Sequence, residues 1–151
     1  DAPPMSLFQV QDPASEARVR KTLANQQAMT TMGISLAKIE PGVVELQMPY
    51  DERFSQQNGF LHGGVVSAGL DTACGLASYT LMPANADVLT VEFKINLLAP
   101  AKGQMFRFVG SVVKPGRTLV VSEGRAFASD GGNEKMIATM SATMMTMVSR
   151  S

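Results

Sequence analysis

The stretch QQNGFLHGGVVSAGLDTACGLASYTLM, residues 56–82, carries the strongest structural signal in this chain of 151 residues. Its part from residue 63 to residue 82 is the longest run of low polarity in the sequence, and apolar residues occupy nearly every position around a helix. Such a pattern predicts one long helix that is buried on nearly all sides. Pro83 marks its end, because proline cannot continue a helix.

The segments on either side of this helix alternate apolar and polar residues, which is typical of strands. Before it, the turn Pro41-Gly42 separates two short alternating runs and predicts a hairpin. After it, the alternation predicts about four strands in an antiparallel meander, with hairpin turns at residues 114–117 and 130–133. These strands are predicted at residues 89–97, 103–113, 118–129 and 136–148.

The first part of the chain is predicted to form a helix at residues 13–31, with Asp12 as its cap and Pro13 in its first turn. Residues 1–12 are expected to form a flexible arm. Because the sequence shows neither a repeat nor a linker, residues 1–151 are predicted to be one α+β domain. In it, an antiparallel sheet wraps around one long central helix.

The composition excludes several classes of protein. Lys plus Arg and Asp plus Glu are 13 each, so the chain lacks the basic excess of a nucleic-acid binder. One cysteine, Cys74, and one histidine, His62, provide no internal disulfide and too few ligands for a metal site, and Cys74 is expected to be a buried core thiol. No apolar run reaches the roughly 20 residues of a membrane span, and no signal peptide is recognisable. We therefore expect no metal site and a cytoplasmic location.

Asp71 lies in the middle of the apolar helix, where an isolated carboxylate is unfavourable unless it is paired, hydrogen-bonded or protonated. The residues alone leave two interpretations open. Asp71 could lie on a narrow solvent-facing strip, or be satisfied by Thr72 or a neighbouring amide. Alternatively, it could be a catalytic acid.

The helix begins at His62-Gly63-Gly64, and Gln56 lies in the loop before it. Glycines allow close approach of a ligand, and the first amides of a helix lack partners and favour an anion or a developing oxyanion. Gly63 and Asp71 are eight residues apart, about 12 Å along one helix. One carbonyl group cannot contact both, so a site that uses both predicts at least a homodimer with shared sites.

Residues 56–73 resemble the signature of hotdog-fold acyl-CoA thioesterases of the phenylacetate-pathway (PaaI-like) type. In that family an Asn or Gln precedes the His-Gly-Gly histidine by six residues, and an Asp or Glu follows its first glycine by eight. Both spacings occur here. The resemblance extends through residues 89–100 and 114–119, and it covers about residues 30–148.

This resemblance implies hydrolysis of an acyl-CoA thioester, in which CoA is part of the substrate and no cofactor is needed. Asp71 would be the general base or the nucleophile, and the Gly63 amide would polarise the carbonyl group. Gln56 would orient the carbonyl group or the water, and His62 would support the turn. In some relatives a hydroxyl four residues after the acid holds the water, but Gly75 occupies that position here.

The turn at Lys114–Thr118 resembles the segment that contacts the CoA nucleotide in relatives, since two cations beside an exposed backbone suit phosphates. A solvated basic hairpin tip is the alternative. A hydroxyl on the next long strand holds the water in other relatives, and Thr90 matches that position. The residues expected to contact the substrate are Asn58, Gly64, Thr90, Lys114, Gly116, Arg117 and Thr118.

The sequence leaves open two other functions on the same fold. One is a hydratase or dehydratase, which the position of the only histidine disfavours. The other is a non-catalytic module that binds or senses acyl-CoA. The expected partners are the acyl-CoA substrate and further copies of the chain, as a dimer or a dimer of dimers, with neither nucleic acid nor membrane.

Overall fold

The computed structural model describes residues 8–149. Six antiparallel strands form one sheet in the order β1-β2-β4-β5-β6-β3, and the long helix α3 packs on one of its faces. This arrangement confirms the predicted α+β fold. The elements are α1 (Ser15–Asn25), α2 (Gln27–Met32), β1 (Ser35–Glu40), β2 (Val43–Pro49), a 3-10 turn (Glu52–Phe54), α3 (Gly63–Tyr79), β3 (Ala86–Leu97), β4 (Met105–Pro115), β5 (Leu119–Asp130) and β6 (Asn133–Val148).

The predicted meander of four strands is correct for β4, β5 and β6 but wrong for β3. Consecutive hairpins join β4 to β5 and β5 to β6, whereas β3 pairs with β6 at the edge of the sheet, and β2 takes the place beside β4. Alternation along a strand records which face is buried, and it carries no information about the neighbouring strand. The position of β3 at an edge is therefore a property of the folded chain alone.

The core lies between α3 and the inner face of the sheet, where Leu70, Phe108 and Met144 are fully buried. Each such side chain contributes roughly 1.5–3 kcal/mol by leaving water. At the point where α3 crosses β4, a Cβ atom at Gly110 would lie 2.3 Å from the Ala73 carbonyl oxygen. Glycine is thus required for the backbone contact between helix and sheet.

The predicted helix over residues 13–31 is corrected to two helices. Gln26 adopts an extended conformation (φ −82°, ψ 98°) and separates α1 from α2. Helix α1 begins at Ser15, and the Asp12 carboxylate accepts a hydrogen bond from the Ala14 amide (2.9 Å). No glycine or proline marks the break, so the sequence pattern did not reveal it.

The expected flexible arm over residues 1–12 is wrong for its last five residues. The Gln11 side-chain amide donates to the Leu81 carbonyl oxygen (2.8 Å), and Asp12 forms an ion pair with Arg18 (3.2 Å). These contacts fix residues 8–12 against the far end of α3. The remainder of the predicted arm, residues 1–7, lies outside the described part of the chain.

Arg18 connects α1 to the C-terminal end of α3. Its guanidinium donates to the carbonyl oxygens of Tyr79 (2.9 Å), Met82 (2.9 Å) and Pro83 (2.6 Å), and it stacks 4.3 Å from the centre of the Tyr79 ring. The last carbonyl groups of a helix have no partner within it, so Arg18 satisfies groups that would otherwise be unpaired. Within residues 8–149, no helix is long and apolar enough to cross a membrane.

Candidate active site

The N-terminal end of α3 is organised by His62. Its Nδ1 atom accepts a hydrogen bond from the Gly64 amide (2.9 Å), and its carbonyl oxygen accepts from the amides of Val65 and Val66. A nitrogen that accepts carries no proton, so the neutral ring holds its proton on Nε2. His62 is therefore the cap of α3, a structural role close to the one that the resemblance implied.

The Gly63 amide is left without a partner at this end of the helix. No acceptor within residues 8–149 lies in hydrogen-bond range of it. A Cβ atom at this position would lie 2.9 Å from a methyl group of Leu97, so glycine allows Leu97 to pack closely against the start of the helix. A free amide at the positive end of a helix dipole can bind a carbonyl oxygen and stabilise it as negative charge develops.

Gln56 lies on a tight loop beside the helix start. Its Oε1 atom accepts hydrogen bonds from the amides of Asn58 (2.6 Å) and Phe60 (3.2 Å). The Tyr50 hydroxyl donates to the Gly59 carbonyl oxygen (2.7 Å) and holds the same loop from outside. Because Oε1 is occupied by the loop, the NH₂ group of Gln56 is the part of its side chain that remains for a ligand. Tyr50 was not singled out in the sequence, where nothing links it to this loop.

A pocket of about 480 Å³ opens between this loop, the first turn of α3 and the segment that follows β3. Gln56 and Gly63 both line it, so the loop and the helix start face one space. Its other walls are apolar, with Leu97, Leu98 and Ile137 among them. Sequence reasoning missed these wall residues, because their approach to Gly63 depends on the position of the edge strand.

Asp71 is half-buried, and Thr90 donates a hydrogen bond to its Oδ1 atom (2.7 Å). The prediction that α3 is buried nearly all round is wrong for its first half, where a strip that contains Asp71 and Thr72 is only half-buried. The sheet covers one side of α3 there, and no other element of the described chain covers this strip. Asp71 thus lies on a solvent-facing strip, and its partner is Thr90 rather than Thr72.

Thr90 reaches Asp71 because β3 contains an irregularity. Thr90 pairs with Met144 and Phe93 pairs with Ala142, and both partners are buried on the side of α3. Positions 90 and 93 differ in parity, so a regular strand would place them on opposite faces. The register shift between Thr90 and Glu92 places them on the same face, as β-bulges do near functional sites.

Gly63 and Asp71 lie on the same continuous helix. Eight residues of α-helix separate them by about 12 Å, as the sequence predicted. The structure therefore does not bring the two groups together within one chain.

The turn at Lys114–Thr118 lies at the opposite end of α3 from Gly63. Gly116 and Arg117 border a cavity of about 430 Å³ together with Leu81 and Asn85, just past the end of the helix. The 17 residues of α3 span about 25 Å. Lys114, Arg117 and Thr118 are exposed, and a Cβ atom at Gly116 would clash with the Leu119 carbonyl oxygen at 2.1 Å. Gly116 is thus required by the turn itself.

Cys74 is a core thiol, as predicted, with no exposed surface. Burial in apolar surroundings raises the pKa of its thiol to about 12, so it stays protonated and unreactive near neutral pH. No group of three or more His, Cys, Asp or Glu side chains in the described chain is arranged to hold a metal ion.

Comparison with known proteins identifies the family. Residues 58–135 match the thioesterase superfamily. A crystal structure of a thioesterase family protein from Silicibacter pomeroyi is 50% identical, covers 89% of this chain and 99% of its own, and superposes with a TM-score of 0.89. A protein of Saccharolobus solfataricus named "Putative esterase" is 33% identical over 82% of this chain and 80% of its own.

The PaaI protein from the phenylacetic acid degradation operon of E. coli shares the fold, with a TM-score of 0.78 over 89% of this chain and 94% of its own, at 14% identity. The resemblance to hotdog thioesterases is thereby confirmed. This chain belongs to the thioesterase superfamily and is a thioester hydrolase with a hotdog fold.

Proposed function

We propose that this chain hydrolyses acyl-CoA thioesters in a site that two copies of the chain complete together. Asp71 is the general base or the nucleophile, and the Gly63 amide binds the carbonyl oxygen. One observation carries the proposal: a single helix presents an amide without a partner at its start and a half-exposed carboxylate eight residues later. One chain holds both groups but cannot apply both to the same carbonyl group.

The edge strand β3 provides a surface on which a second copy of the chain can pair. Among residues 8–149, β3 is paired on one side, with β6, and it exposes four large apolar side chains, which belong to Leu89, Val91, Phe93 and Leu97. An unpaired apolar edge is a template for another strand. Two β3 strands that pair around a two-fold axis run the two α3 helices antiparallel, so that Gly63 of one copy approaches Asp71 of the other. A dimer and a dimer of dimers both provide this interface.

In the base mechanism, Asp71 takes a proton from a water molecule, and the water oxygen attacks the thioester carbon. The Gly63 amide and the Gln56 NH₂ group stabilise the negative charge that develops on the carbonyl oxygen. When the intermediate collapses, the C–S bond breaks, and the proton held by Asp71 passes to the departing CoA sulfur. The products are the free acid and CoA.

In the nucleophile mechanism, the Asp71 carboxylate itself attacks the thioester carbon and releases CoA, and water then cleaves the mixed anhydride. In both mechanisms the hydrogen bond from Thr90 to Oδ1 orients the carboxylate and leaves Oδ2 for the water or the substrate. In this proposal Thr90 positions the acid, whereas the resemblance implied that its hydroxyl holds the water.

The basic turn is proposed to bind the phosphates of CoA through Lys114 and Arg117, with Gly116 and Thr118 offering backbone and hydroxyl groups. Asn58 and Gly64, which flank the carbonyl site, are proposed to contact the substrate beside it. The cytoplasmic location also remains a prediction from composition.

The two other functions lack a supporting contact. A hydratase would need its histidine at the carbon chain, but Nδ1 of His62 is occupied by the Gly64 amide. A sensing module would not require an oriented carboxylate beside an open strip, which the contact between Thr90 and Asp71 provides.

The direct test is release of free thiol from a panel of aliphatic and aromatic acyl-CoAs, followed by thiol titration. We expect release from at least one of them and none from the same enzyme inactivated by Asp71→Asn. If the chain bound acyl-CoAs and released no thiol from any of them, the proposal would be wrong.

A further inference from the structure

We propose that Tyr50 is a positioning residue of the hydrolysis, and that it directs the NH₂ group of Gln56 toward the carbonyl oxygen of the substrate. The inference rests on the proposed function, in which Gln56 stabilises the negative charge on that oxygen, and it adds a further residue to that function. Tyr50 acts through the loop at residues 56–60 and not by contact with the substrate.

The loop at residues 56–60 is closed by Gln56 itself. The Gln56 amide donates to the Phe60 carbonyl oxygen (2.8 Å), and the Gly59 amide donates to the Gln56 carbonyl oxygen (3.0 Å). In addition, the side-chain Oε1 atom accepts from the amides of Asn58 (2.6 Å) and Phe60 (3.2 Å). Because Oε1 and the NH₂ group belong to one planar side-chain amide, the positions of these two backbone amides determine where the NH₂ group points.

Tyr50 holds one of these two amides from outside the loop. Its hydroxyl donates to the Gly59 carbonyl oxygen (2.7 Å), and this carbonyl group belongs to the same planar peptide group as the Phe60 amide. The hydrogen bond therefore opposes rotation of this peptide group, which would turn the Phe60 N–H away from Oε1. Gly59 makes such a rotation easy, because it lacks a Cβ atom and already has a positive φ of 82°.

The tip of the loop, residues 57–59, is exposed, whereas Tyr50 is anchored to the sheet. Within residues 8–149, no hydrogen bond besides that from Tyr50 joins the tip to a residue outside the loop. Tyr50 directly follows β2, its amide donates to the Gln104 carbonyl oxygen (2.8 Å), and its ring packs against the core. A single hydroxyl group thus fixes the tip of the loop to the sheet.

The same hydrogen bonds form a continuous relay. It runs from the Tyr50 hydroxyl through the Gly59–Phe60 peptide group and the Gln56 side-chain amide to the carbonyl oxygen of the substrate. Each amide in the relay accepts at its oxygen and donates at its nitrogen, so each bond polarises and strengthens the next. Because the negative charge on the substrate oxygen grows in the transition state, loss of the first bond should affect kcat more than KM.

The test is a double-mutant cycle on Tyr50 and Gln56, followed by thiol release from one acyl-CoA. Tyr50→Phe removes only the hydroxyl group, and Gln56→Glu keeps an oxygen acceptor for the two loop amides but removes the NH₂ donor. We expect Tyr50→Phe to lower kcat roughly 3- to 10-fold and to leave KM within about twofold. Added to Gln56→Glu, it should change kcat by less than about twofold, since the group that it positions is gone.

Tyr79→Phe is the matched control, because Tyr79 is the other tyrosine of the chain and ends α3 on the side away from the loop. It should leave kcat unchanged, and the Tm of Tyr50→Phe should stay within about 2 °C of that of the unaltered protein. Unchanged kcat in Tyr50→Phe, or the same loss with and without Gln56→Glu, would overturn the inference. Unchanged kcat in Gln56→Glu alone would instead remove Gln56 from the proposed mechanism, and the inference with it.

Discussion

The two ends of α3 differ in how their backbone groups are satisfied. At the C-terminal end, two side chains from the N-terminal part of the chain, Arg18 and Gln11, donate hydrogen bonds to the carbonyl oxygens of four residues. At the N-terminal end, His62 accepts hydrogen bonds from the amides of Gly64, Val65 and Val66. The Gly63 amide stays free, and Gly63 lines a pocket. A helix end that is fully capped stabilises the fold, whereas an end with one free donor retains a group for a ligand. This comparison assigns stability to one end and chemistry to the other.

The largest expected effect concerns Asp71, which lies between the two ends of α3. Its substitution should reduce activity and leave stability nearly unchanged. Asp71→Asn should lower kcat/KM by roughly 10²–10⁴-fold, because Asn cannot act as a base or nucleophile. Its side-chain oxygen can still accept from Thr90, so Tm should stay within about 2 °C. Asp130→Asn, the same change at an exposed position at the end of β5, is the control and should leave activity unchanged. Near-normal turnover by a folded Asp71→Asn protein would contradict the mechanism.

A second change tests the free amide itself. Gly63 is the first residue of α3, where proline is favoured, and His62 has the extended backbone (φ −62°, ψ 136°) that a residue before proline adopts. Gly63→Pro should therefore delete the amide hydrogen and keep the helix. Gly63→Ala is the matched control, because it places the same Cβ atom beside Leu97 and retains the amide.

We expect kcat of Gly63→Pro to be roughly 10²–10³-fold below that of Gly63→Ala, with Tm values within a few degrees of each other. Steady-state kinetics and thermal melting of the two variants measure this difference. Equal kcat values would show that the amide takes no part in the reaction.

A substitution at the capped end of α3 should reduce stability and leave activity unchanged. Arg18→Met leaves three carbonyl groups and Asp12 without their partner, so the free energy of unfolding should fall by about 2–4 kcal/mol. For a chain of this size Tm should fall by roughly 4–16 °C, while kcat/KM of the folded protein is unchanged. Arg20→Met removes an exposed ion pair with Glu16 and should cost less than about 1 kcal/mol. A large loss of kcat in Arg18→Met at a temperature where it is fully folded would refute the division between the ends.

Hybrid dimers test whether the two ends belong to different subunits in each site. Asp71→Asn and Gly63→Pro chains are each expected to be nearly inactive. When they exchange subunits freely at equal concentration, half of the dimers are hybrids, and one of the two sites in each hybrid is intact. Activity should then recover to about a quarter of that of the unaltered enzyme. No recovery after subunit exchange has been demonstrated by mass spectrometry would indicate a site within one chain.

The sequence predicted what depends on local pattern and failed where distant parts of the chain meet. Local sequence was enough to predict the position of α3, the hairpin turns and the spacing of Gln56, Gly63 and Asp71. The resemblance depends on the same local features. The edge position of β3 and the capping by Arg18 depend on contacts between residues far apart in the chain.

Thr90 illustrates both sides of this limit. Its position in the sequence matched a residue of the family, but regular alternation along β3 would have turned its hydroxyl away from Asp71. The register shift after Thr90 places it on the side of α3, and no glycine or proline in the sequence marks that shift. The resemblance therefore pointed to Thr90 as a hydroxyl that holds the water, and its hydrogen bond to Asp71 is visible only in the structure.

The smallest expected effect concerns the basic turn, which lies at the capped end of α3. Within one subunit this end is far from Gly63. In the proposed dimer the antiparallel helices bring the C-terminal end of one subunit past the Gly63 of the other. Lys114→Ala combined with Arg117→Ala should raise KM for acyl-CoA roughly 3- to 10-fold at low ionic strength, because exposed charges contribute modestly and salt screens them. The value of kcat should be unchanged, since phosphate contacts are equal in the ground and transition states.

Arg20→Ala with Lys21→Ala removes the same charge from the exposed face of α1 and should leave KM unaltered. An equal rise of KM in both double variants would mean that net charge, and not this turn, attracts the substrate.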